Sequence, residues 1–164
     1  MGDHLVTRNQ TGFSTSACQE CLLAWPTMSP SPNDDVRLLH ASFRRIRSGF
    51  AVAFYDRFLA SDPRIAALFA HTDLRRQQEL LVHGVLMLLD FSAGISMGAM
   101  AMQRLADMHV RIGVHGWMYD RWTECLLAVV AELDPDADDH LLTLWRGAMT
   151  GATDRMLALV PHQP

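Results

Sequence analysis

The chain has 164 residues, 49% of them hydrophobic and 20% charged, the proportions of one globular domain with a real apolar core. Its formal net charge is −4 and its 14 basic residues are all arginines without a basic cluster, which argues against nucleic acid as a partner. The 3 cysteines are too few for a disulfide framework, and the start "MGDHLVTRNQ" lacks the sustained apolar run of a secretory signal, so the expected compartment is the cytoplasm.

Residues 1–34 are polar, rich in turn formers and without a sustained period, and read as a disordered tail closing on "SPSPNDD". Cys18 and Cys21 form a C-x-x-C within it. No histidine follows directly and no second C-x-x-C completes a zinc site, so two free thiols are expected. Met28 is an alternative start. Residues 161–164 form a short C-terminal tail.

From Val36 onward the pattern is helical, with none of the alternation that strands need. "DVRLLHASFRRIRS" and "GFAVAFYDRFLA" are predicted as two successive helices. "SDPRIAALF" follows as a short helix capped by Asp62 with Pro63 at its first position. Thr72 is the expected cap of "DLRRQQELLVHGVLMLLDF", and "MGAMAMQRLADMHV" comes after a Gly/Ser break. "RIGVHG" makes a corner. "WMYDRWTECLLAVVAEL" is a long helix ended by "DPDAD", with Cys125 packed as a small apolar residue, and the last helix stops at Pro161. The prediction is an all-α domain of roughly seven helices.

The run "LLVHGVLMLLDFSAGISMGAMAM" is long enough to cross a bilayer. His83, Asp90 and the Ser/Gly-rich interruption make two buried helices the better account, so no membrane is expected.

His109 lies on the apolar face of its helix, after Leu105 and Met108. Taken alone it reads as a core histidine. No H-x-x-x-H or H-E-x-x-H accompanies it, so a metal held there would need most of its ligands from a non-protein group. Haem is such a group, leaving an axial position for one imidazole. A gas pocket also needs a few hydrogen-bond donors among apolar walls. Tyr55 and Gln77 are suitable, with Gln78 as the rival of Gln77.

Taken together, these residues resemble the bacterial globins of the flavohaemoglobin and single-domain haemoglobin type, over 35–160. "FYDRFLASDPRIAALF" is similar to that family's second and third helices, placing its distal tyrosine on Tyr55 and its haem-stacking phenylalanine on Phe69. With the distal glutamine on Gln77, the distal leucine falls on Leu81. The interval from Leu81 to His109 equals the family's interval to the proximal histidine. Tyr119, ten residues after His109, falls where the family has a tyrosine beside the proximal imidazole. The resemblance implies a globin fold enclosing haem b, with His109 as the iron ligand and Tyr55 and Gln77 as distal donors. It places Met108 and Val114 on the proximal side and Trp122 facing the pocket, as core filler or as an indole donor. His115 falls at the corner and is expected to face solvent.

Two departures from the family matter. Its proximal tyrosine and histidine are joined by a glutamate near the end of the last helix, whereas no Glu follows Glu132 here and the matching region is "LVPHQP". A carboxylate there would raise the basicity of the imidazole. The flavin and nicotinamide domains of flavohaemoglobins are also missing, so turnover would draw on a separate reductase. The expected function is reversible binding of O2, and of NO and CO. The alternatives are an NO dioxygenase served by that reductase, and a haem-free regulatory module with the globin fold.

Overall fold

The computed structural model describes residues 32–94 and 99–159, which form six helices with no strand among them. The Cys18/Cys21 pair, Met28 and the tail 161–164 lie outside the described residues.

Helix α1 runs from Pro32 to Ser61. Asp34 and Asp35 stand in its first turn, where negative charge complements the helix dipole. Its buried face is Leu39, Phe43, Ile46, Phe50, Phe54 and Phe58, one residue per turn along the whole length. The two helices expected here are therefore one. Ser48 and Gly49 weaken an isolated helix, Gly by about 1 kcal/mol relative to Ala. Neither lacks an amide hydrogen as proline does, and the continuous apolar stripe carries the helix through them.

Helix α2 spans Pro63–Leu68. Asp62 caps it by accepting the Arg64 amide at 2.8 Å, with Pro63 in the first turn. Helix α3 spans Leu74–Ser92, and its cap is Asp73 rather than Thr72. The Asp73 carboxylate accepts the Arg76 amide at 3.2 Å, while the Thr72 amide closes the preceding turn onto the Phe69 carbonyl. A carboxylate adds charge complementarity that a hydroxyl lacks. Gly94, at φ +75, takes the left-handed conformation that ends α3.

Helices α4 (Ala99–Arg111), α5 (Gly116–Leu133) and α6 (Asp139–Leu159) complete the fold. Helix α1 packs against α5 and α3, and α6 covers α5 and α3 from the other side. Helix α4 has α6 as its main neighbour and makes no extensive contact with α3. No described helix is long and apolar enough to cross a membrane.

The core is aromatic along α1. Phe43 meets Phe50 and Trp145 edge-on, at centroid distances of 5.3 and 6.2 Å. Farther along, Phe54 contacts Tyr55, Phe58 and Trp122. Such pairs contribute about 0.5–1.5 kcal/mol each beyond area burial. Cys125 is buried in this core.

One buried polar network locks the far end of the bundle. Asp134, 4% exposed, accepts from Ser42 Oγ at 2.6 Å, from Arg45 Nε at 2.7 Å and from Arg45 Nη2 at 2.8 Å. Trp145 Nε1 donates to Ser42 Oγ at 3.0 Å, which ties α6 into the same network. Burial pushes the Asp134 carboxyl up, but the hydrogen bonds from Arg45, Ser42 and the Asp136 amide outweigh it and hold the group below its ordinary range.

Candidate functional site

The candidate residues fall into two groups. The first is built on α1, α3 and the turn between α2 and α3. Tyr55 projects from the buried stripe of α1 and is 4% exposed. Its ring meets Phe69 edge-on at 5.6 Å, and Phe69 in turn lies 6.2 Å from Phe58. Gln77, in the first turns of α3, hydrogen-bonds the Tyr55 hydroxyl. Burial raises the Tyr55 pKa to about 12, with the Gln77 hydrogen bond acting in the opposite direction. The Gln77 amide carries both a donor and an acceptor and can serve the hydroxyl in either direction. Leu81, one turn beyond Gln77, is buried in the main core.

Gln78 is half-buried and has no such tie to Tyr55. His83, six residues beyond Gln77, is exposed, with its ring Nδ1 near the Glu79 carbonyl at 3.4 Å.

The second group is centred on His109, two residues before the end of α4. Its ring stands edge-on to Tyr119 of α5, with centroids 5.8 Å apart and planes at 87°. Burial lowers the His109 pKa, so the imidazole is neutral at pH 7. Its Nδ1 is buried and has no hydrogen-bond partner among the described residues. Burial raises the Tyr119 phenol. Around Tyr119 stand Met102 and Met156, with Phe91, Leu105, Val114 and Leu159 packed against them.

The corner after His109 fixes the geometry of this group. Gly113 adopts φ +81, and the Val114 amide donates back to the His109 carbonyl at 2.9 Å. Val114 and Phe91 pack against both the main core and the Tyr119 cluster, joining the two groups. Trp122 is half-buried, edge-on to Phe54 at 5.9 Å. Met108 is 45% exposed, and His115 is exposed at the start of α5.

What can this arrangement hold? Among the described residues no three His, Cys, Asp or Glu side chains gather to bind a metal ion. His109 is therefore a single nitrogen donor, suited to a metal that brings its other ligands with it. The open groove between α1 and α5, lined by Ala53, Arg57, Arg121 and Glu132 among others, contains none of the candidate residues.

Sequence reasoning missed two features. The methionine cluster on Tyr119 is one, since methionines at helical spacing carry no signal beyond core. The other is Arg64, whose guanidinium sits 4.2 Å over the Trp117 ring and clamps α2 to the start of α5.

No protein-family model matches the chain, and neither does any curated protein. Among solved structures it is similar to the crystal structure of protein PA3967 from Pseudomonas aeruginosa PAO1, described as structurally highly homologous to a human hemoglobin. The two share 31% sequence identity with a TM-score of 0.72, over 78% of this chain and 99% of that one.

Proposed function

The chain belongs to the globin-like family of that Pseudomonas protein, and from this premise we propose that it is a haem-b globin binding diatomic gases, O2 together with NO and CO. The observation that carries the reading is His109. It is a neutral imidazole, the form that ligates a metal, on a helix that does not pack extensively on the helix bearing Gln77 and Leu81.

Haem would supply the iron to which the gas binds. In this reading the chain's own residues do the rest. His109 would hold the iron through Nε2, and Phe69, Leu81, Val114 and Trp122 would supply apolar walls that keep water out. Tyr55, protonated at any physiological pH because burial has raised its pKa, donates to the electron-rich end of the gas. Gln77 orients that hydroxyl. Regeneration after a redox turnover, as NO dioxygenation would require, would fall to a reductase.

The test is a visible spectrum of the purified chain after haem addition. A Soret band that His109→Ala abolishes or displaces supports the assignment. No Soret band would leave a globin-fold regulatory module in which His109 is a core residue.

A further inference from the structure

Among the described residues, apolar side chains converge on the Tyr119 ring and its surroundings: Met102 and Leu105 from α4, Phe91 from α3, Val114 from the corner, Met156 and Leu159 from α6. The carboxylate of α4 nearest in sequence, Asp107, is exposed and accepts from Gln103 at 2.9 Å on the outer face. Gln103 also reaches the Leu159 carbonyl at 3.3 Å, so its amide is occupied in tying α4 to α6. The His109 Nδ1 is buried and without an acceptor among the described residues.

An imidazole with its second nitrogen hydrogen-bonded to a carboxylate is a stronger electron donor to its metal than one without such a partner. Axial-ligand basicity is one of the main levers by which a protein tunes haem iron. Binding of dioxygen would benefit from that donation, whereas nitric oxide would need less of it, and a weakly donating His109 would be the more readily displaced.

Resting on the haem reading above, we infer that the apolar proximal cluster would hold His109 as a weak, non-hydrogen-bonded donor to the iron, one that binding of nitric oxide would release. The imidazole would then be free to move with the end of α4 and the Gly113 corner, which the Val114-to-His109 hydrogen bond couples to it.

The experiment uses the full chain loaded with haem. Resonance Raman of the ferrous form is expected to show an iron–histidine stretch in the low range typical of an unassisted neutral imidazole. Electron paramagnetic resonance of the nitric oxide adduct is expected to show coupling to the nitric oxide nitrogen alone, with none from His109. Leu105 precedes His109 by one helical turn, so a side chain there lies beside the imidazole. Leu105→Glu and the more conservative Leu105→Gln should each raise the stretching frequency and restore histidine coupling, and Leu105→Met should change neither. A high-frequency stretch in the unmodified chain, or histidine coupling retained in its nitric oxide adduct, overturns the inference while leaving the haem reading standing. So do folded Glu and Gln variants that leave both spectra unchanged. Absence of a Soret band overturns the haem reading itself, and this inference with it.

Discussion

Gln77 of α3 hydrogen-bonds Tyr55 of α1. Burial keeps the phenol protonated, so its O–H is a donor that a third group can use. Replacing Tyr55 with Phe removes that donor directly. A hydrogen bond to a partly charged group contributes about 1.5–3 kcal/mol, so the oxygen off-rate of Tyr55→Phe should rise at least about tenfold, read by stopped-flow mixing with CO. Gln77→Leu should act in the same direction but more weakly, since it removes the group that orients the donor.

The His109 ring predicts a pH dependence for the haem-free chain. Its folded pKa is lowered by burial, below the ordinary imidazole value of 6.5. As pH falls through 6.5 the unfolded chain takes up a proton that the folded chain refuses, so stability declines from there down to the folded pKa. Thermal melts of the haem-free chain should therefore show Tm falling on the acid side of pH 6.5, and His109→Leu should flatten that limb.

Asp134 predicts a second, more acidic loss. Its folded pKa lies below the ordinary carboxyl value of 3.8, so its contribution is full above that value and disappears as pH falls toward the folded pKa. Asp134→Asn keeps the shape but gives up the charge that Arg45 meets. The expected cost is about 2 kcal/mol, read as a lower denaturant midpoint with unchanged slope. Arg45 retains access to solvent, with a side chain 33% exposed, which keeps the cost from being larger.

Gly113 predicts a local effect. A Cβ built on it would meet only Leu68 Cδ2, at 4.0 Å, so space is not the constraint. The constraint is φ +81, which costs an alanine about 1–2 kcal/mol. Gly113→Ala should lower stability by that amount and weaken retention of added haem more than substitutions in α2 or α6 do, measured by haem transfer to an acceptor protein.

The helical architecture was legible because the apolar residues recur once per turn over long windows, as in α1 from Leu39 to Phe58. The break at Ser48–Gly49 was misread. Local propensity penalises those two residues, but burial on either side of them outweighs the penalty, and burial is a tertiary quantity. The cap of α3 was misplaced by one residue for a similar reason. Thr72 and Asp73 are both good caps, and only the turn closed by the Thr72 amide chooses between them. Within the site, Tyr55 and Gln77 were found as separate donors of suitable chemistry, whereas their mutual hydrogen bond joins residues 22 apart in sequence on two helices. The Ser42–Asp134–Trp145 network gave no sign, since "DPDAD" reads as an ordinary helix terminator and Ser42 as an ordinary helix residue.

The thin packing of α4 carries a consequence for how the protein holds together. Among the described helices its main neighbour is α6, so a group bound beside α4 would add to its cohesion. An occupant bound to the folded form adds RT ln(1 + [L]/Kd) to stability, about 2.7 kcal/mol at a hundredfold excess over Kd. Helix α4 is then the first segment to exchange its amide hydrogens when the occupant is withheld and the one most protected when it is supplied. Cofactor supply in the cell would thereby set the folded lifetime of this helix, and with it the protein's exposure to proteolysis.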